Sequence, residues 1–242
     1  WFYARRSIGG AAALLGFFLL VFFGPIYGDG RNALGEIPGL LCVLIALLPL
    51  IRSGTLSPSR AALAGMGAGL AVAAKPIFIL FIPALLLSLL LRRRELELNK
   101  IFIYGVLGAA LPISIWIISQ FGNTALGNIF AVYSNPHDLN LIGAIRDNIK
   151  RVLTEAQLLY FSLALAIWTF SYVVRRIRNE AVSLTEEALL FFSVLILFAY
   201  MRTAGYYRYF FPGQIFALLY LPQTLIYLVR LRSALFYWAV IV

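Results

Sequence analysis

The chain has one cysteine, one histidine, two methionines and ten acidic residues in 242, and charged residues of either sign make up only 12% of it. A single cysteine, Cys42, excludes a disulfide framework; it lies within an apolar run and reads as a small packing residue. The single histidine, His137, sits in the turn-rich stretch Ser134-Asn135-Pro136-His137-Asp138 with no second His or Cys nearby to complete a metal site, so it reads as a solvated loop residue. So few charges beside 62% hydrophobic residues and a mean hydropathy of +0.90 exclude a single water-soluble core.

Long apolar runs are what the chain has instead. Residues 8–27, 101–121 and 209–229 are each long enough, at about 1.5 Å per residue, to cross the ~30 Å hydrocarbon layer. Shorter runs at 36–51, 157–174 and 188–201 are expected to span as well. No small-residue cleavage pattern follows the first run, so it reads as an internal helix. The chain opens on Trp1 and stops within a fresh apolar run that begins at Ala234, so a fragment truncated at its N-terminus is expected. The fold class expected is all-α: a multi-pass transmembrane helix bundle of about eight or nine membrane segments. It forms one domain over residues 1–242, with an outer loop at 122–156.

Orientation follows from the basic residues, because cytoplasmic loops retain Lys and Arg. Arg5 and Arg6, Arg52 and Arg60, Arg92, Arg93 and Arg94 with Lys100, Arg175, Arg176 and Arg178, and Arg230 and Arg232 form five clusters. All five fall on one face only if residues 61–91 cross twice or re-enter, with Lys75-Pro76 at the turn and Gly65, Gly67 and Gly69 packing closely. Thirteen of the twenty basic residues then lie inside, so the net charge of +10 reports topology and gives no reason to expect nucleic acid. These inner clusters read as positive-inside anchors in contact with membrane lipids, without a catalytic role.

The other face holds the unusual charges. Within the long loop, Ile142, Ile145, Ile149, Val152 and Leu153 recur at helical spacing, with Arg146, Asp147, Lys150, Arg151 and Glu155 opposite them. That pattern predicts an amphipathic helix lying on the outer membrane surface, either closing the protein's outer edge or shaping an entrance for a lipid-linked substrate. Asp29, Arg31 and Glu36 crowd a short loop, with Pro38 just inside the next helix. A helix-end charge favoured by the macrodipole is the plainer explanation of Glu36. Lys75 is an ammonium in an otherwise uncharged stretch, which costs about 2.5–3.5 kcal/mol on insertion scales unless it faces a cavity, an anion or the interface. Arg202 and Arg208 flank a glycine hinge, and Tyr206, Tyr207 and Tyr209 crowd the same helix mouth as candidate substrate-lining residues. Tyrosines alone would suit an interfacial belt, but paired arginines exceed what a belt requires.

Three segments together carry a resemblance: the loop Gly30-Arg31-Asn32-Ala33-Leu34-Gly35-Glu36-Ile37-Pro38, then Ala73-Ala74-Lys75-Pro76 leading into Leu80-Phe81-Ile82-Pro83, then Arg208-Tyr209-Phe210-Phe211-Pro212 opening a late helix. In this order the chain resembles the GT-C membrane glycosyltransferases, most closely the branch of protein O-mannosyltransferase-like and lipid A aminoarabinose transferase-like enzymes. The resemblance implies transfer of a hexosyl or pentosyl group from a polyprenyl-phosphate donor to an acceptor protein, glycan or lipid. The active face would lie outside the cytoplasm of a prokaryotic plasma membrane. The family's acidic motif in the first outer loop has no match here. A second family carboxylate maps onto Glu36, and the family's cationic contacts to the carrier phosphate map onto Lys75 and Arg208, with Arg202 and Arg31 beside them.

The residue types suit that chemistry on their own account. Breaking a glycosyl phosphate bond develops charge on an anionic leaving group, which fixed cations stabilise. The acceptor hydroxyl needs a base, for which Glu36 and after it Asp29 are the candidates, or a divalent metal ion held by carboxylates. A transporter with helices broken at Lys75-Pro76 is the rival class, although no inverted repeat is apparent and the charges gather at one face. A lipid-handling or assembly subunit without glycosyl transfer is the third.

Overall fold

The computed structural model describes residues 5, 8–22, 35–51, 56–92, 98–120 and 140–241, with residues 98, 120 and 232–241 described by backbone alone. Asp29, Arg31 and His137 therefore lie outside the described residues. The described residues are helical throughout, as expected for a helical membrane bundle: α1 (Gly10–Phe22), α2 (Glu36–Leu47), α3 (Pro58–Ala74), α4 (Phe81–Leu90), α5 (Leu98–Gln120), α6 (Leu141–Thr154), α7 (Ala156–Ile177), α8 (Leu184–Tyr200) and α9 (Phe211–Ile241). Short 3-10 turns at Leu48–Leu50, Pro76–Leu80 and Tyr207–Tyr209 complete the set. Three segments, Asn99–Ser119, Ala156–Ile177 and Phe211–Leu231, are long and apolar enough to cross a bilayer, with shorter apolar helices at Gly10–Phe22, Glu36–Leu50 and Pro76–Leu90.

Local chemistry sets the helix ends. Ser57 caps α3 by accepting from the Arg60 amide at 3.3 Å, Asn140 caps α6 by accepting from Ile142 at 3.1 Å, and Ser183 caps α8 by accepting from Glu186 at 3.1 Å. Pro76 stops α3: the residue before a proline is pushed out of the helical region, and Lys75 is extended at φ −160°, ψ 123°. The turn expected at Lys75-Pro76 is therefore present, and α3 and α4 leave it as the two arms of a hairpin.

Small residues let the first arm pack tightly. Gly65 and Gly69 of α3 lie against the backbone of α5 at Gly105 and Ala109, Gly108 of α5 lies against Ala62, and Gly67 meets Ala46 of α2. A Cβ at any of these contacts would collide with backbone, which is how helices associate where burial of apolar surface offers no gain over lipid. The second arm joins the aromatic core. Phe78 stacks on Phe192 of α8 at 5.8 Å, Phe192 meets Phe216 of α9 at 6.1 Å, and Trp168 of α7 stacks on Tyr220 at 4.6 Å. Apolar side chains such as Phe17, Leu107, Ile115, Phe170, Phe198 and Val229 remain exposed around the outside, as a surface facing lipid requires.

The inner basic clusters do more than anchor. At the end of the bundle where α7 stops and α8 begins, Glu187, fully buried, takes Arg92 Nε at 3.0 Å and Arg176 Nη1 at 3.6 Å and accepts from the Tyr172 hydroxyl at 3.2 Å. Glu186 pairs with Arg175 Nη1 at 2.7 Å and accepts from Trp168 Nε1 at 3.5 Å, while Arg92 also donates to the Val182 carbonyl. Anchoring alone was expected of Arg92, Arg175 and Arg176. The correction arises because two carboxylates in the first turn of α8 fold back among them, and a buried carboxylate must be paired.

Candidate functional site

Of the residues singled out on the opposite face, Glu36 and Lys75 meet at the other ends of these helices. Gly35 begins the site. Its φ of +95° is in the left-handed region, and a Cβ there would stand 2.8 Å from the Ala74 carbonyl oxygen and 3.5 Å from Lys75 Cβ. One turn on, Gly39 leaves room for the Phe78 ring. These two glycines, four apart on one helix face, press the start of α2 onto the Lys75-Pro76 turn, and Glu36 between them is carried into contact with Lys75.

Glu36 is 0% exposed and its Oε1 forms an ion pair with Lys75 Nζ, whose side chain is 16% exposed. Neither carboxylate oxygen accepts a hydrogen bond of ordinary geometry from any described residue, so the ammonium is the described charge that offsets its burial. Lys75 stands in the turn between α3 and the Pro76–Leu80 run, outside either helix. Burial first, and the Arg208 guanidinium second, lower its pKa to about 8. At about 8 the amine is still mostly charged at neutral pH.

Arg208 bears on Lys75 through its charge. Arg208 is exposed and lies between two rings, 5.4 Å from the Tyr206 centroid and 5.3 Å from that of Tyr209, with the rings themselves 6.0 Å apart. Tyr207 turns the other way: its hydroxyl donates to Gln214 Oε1 and its ring packs edge-on to Phe210 at 4.5 Å, so it anchors the 3-10 turn to α9 instead of lining an open surface. Arg202 is exposed in the turn after α8, and none of the described contacts ties it to Lys75 or Glu36. The structure thus brings Glu36 into contact with Lys75 and sets Arg208, whose charge bears on that pair, between Tyr206 and Tyr209.

Sequence reasoning missed Asn148 and Arg151. The amphipathic helix expected in the long loop is present as α6. Ile142, Ile149 and Leu153 are exposed, whereas Asn148 is 3% exposed and the half-exposed Arg151, paired with Glu155 at 3.5 Å, also reaches the turn after α8. Asn148 Nδ2 lies 3.2, 3.2 and 2.8 Å from the carbonyls of Tyr200, Met201 and Thr203, and Arg151 Nη1 donates to Gly205 O at 2.6 Å. The signal that could have found Asn148 is a neutral amide between the charged and apolar faces of a helix.

Among the described residues no three His, Cys, Asp or Glu side chains gather as a metal site. Of the candidate donors, Glu36 faces the Lys75 ammonium and Asp29 lies outside the described residues. Two cavities lie elsewhere. One of about 290 Å³ between α3, α4 and α5 is lined by apolar residues including Leu56, Ala64, Leu85 and Val106. The other, of about 560 Å³, lies among Arg175, Gln223, Tyr227 and Arg230 at the end of the bundle remote from Lys75.

The fold and this site define an all-helical membrane protein with two cations and a buried carboxylate at one rim of the bundle, suited to an anionic group presented at the membrane surface. Residues 1–118 match the model of the dolichyl-phosphate-mannose-protein mannosyltransferase family. The matched stretch contains Glu36 and Lys75, and it supports the resemblance to the GT-C superfamily over that part of the chain. No curated protein and no solved structure matches the chain.

Proposed function

We propose that this protein is a GT-C membrane glycosyltransferase that moves a sugar from a polyprenyl-phosphate donor to a hydroxyl-bearing acceptor on the non-cytoplasmic side of a prokaryotic plasma membrane. The observation that carries the proposal is the contact of Lys75 with Glu36 under the influence of Arg208, on a chain whose first half matches a family of lipid-linked mannosyltransferases.

The chemistry assigns a role to each group. When the bond from the sugar's anomeric carbon to the phosphate oxygen breaks, the electron pair stays on the phosphate. Lys75 and Arg208 stabilise that charge from fixed positions, in a site partly closed to water. Tyr206 and Tyr209 hold the Arg208 guanidinium plane, so less side-chain freedom is lost when phosphate arrives. Glu36 is a poor base, because full burial against Lys75 keeps it from an acceptor. It positions Lys75. The proton of the acceptor hydroxyl then goes to another carboxylate, and Asp29 in the preceding loop is the candidate, with Arg31 and Arg202 as further contacts to the carrier phosphate.

Incubating the intact protein in liposomes with a polyprenyl-phosphate sugar labelled in the sugar tests this reading. Label should pass to the acceptor as free polyprenyl phosphate accumulates, and Lys75→Ala and Arg208→Ala should abolish that transfer while still inserting. Movement of label across the bilayer with the sugar still attached to its carrier would instead identify a transporter.

A further inference from the structure

We propose that Asn148 and Arg151 are positioning residues for Arg208, and that α6 is a brace which fixes the outer arginine loop from the membrane surface. This rests on the reading of Arg208 as a contact to the carrier phosphate.

The end of α8 explains why a brace is needed. The last carbonyls of a helix have no partner within it, and here the chain leaves α8 through Met201–Ala204 without entering another regular element until Tyr207. Asn148 reaches across from α6 to the carbonyls of Met201 and Thr203, and to that of Tyr200, which also accepts from the Thr203 amide and hydroxyl, so two N–H groups are shared among three acceptors. Arg151 holds the next turn through Gly205 O, which also accepts from the Tyr200 hydroxyl at 3.2 Å. Gly205 suits its φ of +79°, and a Cβ there would push aside the Arg151 guanidinium and stand 2.8 Å from Asn148 Oδ1. Arg208 follows three residues later, and its charge bears on Lys75.

The other side of α6 shows what it braces against. Its isoleucine and leucine stripe, Ile142, Ile149 and Leu153, points away from the bundle, while Val152 packs against the core. A helix seated in the interface by such a stripe has its depth set by the bilayer. Two polar side chains on its inner face pass that depth to the loop. Asn148 and Arg151 touch neither Lys75 nor Glu36, so they act through Arg208.

The test combines hydrogen exchange with binding of a C55 polyprenyl phosphate to the intact protein in detergent. In Asn148→Ala, exchange at the amides of residues 201–208 should rise while α8 itself stays protected, and affinity for polyprenyl phosphate should fall about tenfold. Arg151→Met, which removes a more exposed partner, should show the same pattern more weakly and covers the case in which Asn148→Ala fails to fold. Combined with Arg208→Ala, neither substitution should weaken binding beyond Arg208→Ala alone. Additive losses in the double variants, or unchanged exchange in both single variants, would overturn the brace. A wild-type protein that binds no polyprenyl phosphate overturns the glycosyltransferase reading instead, and the exchange comparison still decides whether α6 holds the loop.

Discussion

Replacing Lys75 by methionine leaves the Glu36 carboxylate at 0% exposure without the cation that offsets its burial. Removing one partner of a buried ion pair costs about 3–5 kcal/mol. Lys75 retains 16% of its side-chain exposure, so the lower end, about 3 kcal/mol, is the working figure. At roughly 2–4 °C per kcal/mol for a chain of this size, Lys75→Met should melt about 6–12 °C below wild type when unfolding in detergent is followed by tryptophan fluorescence at pH 7.5. Glu36→Gln in the same background removes the buried charge and should restore most of the melting temperature. It should restore none of the transfer activity, because the ammonium is still missing. Stability and activity are thereby separated at one pair of residues. A Lys75→Met protein that melts with wild type at pH 7.5, or a double variant that melts no higher than the single one, would refute the pairing.

Arg208→Ala should weaken binding of polyprenyl phosphate by roughly tenfold to a hundredfold, the worth of one charge-assisted contact at about 1.5–3 kcal/mol, without changing the melting temperature; unchanged affinity in a titration would remove Arg208 from the phosphate site. Because Lys75 is lowered to about 8, it is charged below that pH and neutral above it, so the donor KM should rise as pH passes upward through about 8. Lys75→Arg, which stays charged, should flatten that rise, and an identical profile in the two proteins would contradict the assignment. Gly35→Ala places a Cβ against the Ala74 carbonyl in a left-handed backbone, and should cost at least about 1–2 kcal/mol and reduce transfer, read as a lower melting temperature together with a lower kcat. Glu187→Ala strips the fully buried partner of Arg92, Arg176 and Tyr172 and should lower the melting temperature with donor KM unchanged, since that network lies at the far end of the helices from Lys75.

The sequence by itself determined the class and most of the architecture. Apolar runs with almost no charge can only be helices in lipid, because a bilayer offers backbone groups no water to bond. Proline after Lys75 dictated a turn where an uncharged stretch would otherwise have read as one long crossing. Glu36, Lys75 and Arg208 were legible one at a time, since each is a charge where charge is expensive. Their meeting was decided by tertiary structure: Gly35 and Gly39 admit the Ala74–Phe78 turn, and stacking of Phe78 on Phe192 carries that turn to α8. The contacts of Asn148, Arg151, Glu186 and Glu187 were also decided only in three dimensions. A hydrogen bond to a carbonyl fifty residues away, or a carboxylate folded back among arginines of another helix, leaves no periodicity in the chain, because its cause is the packing of elements and not the spacing within one.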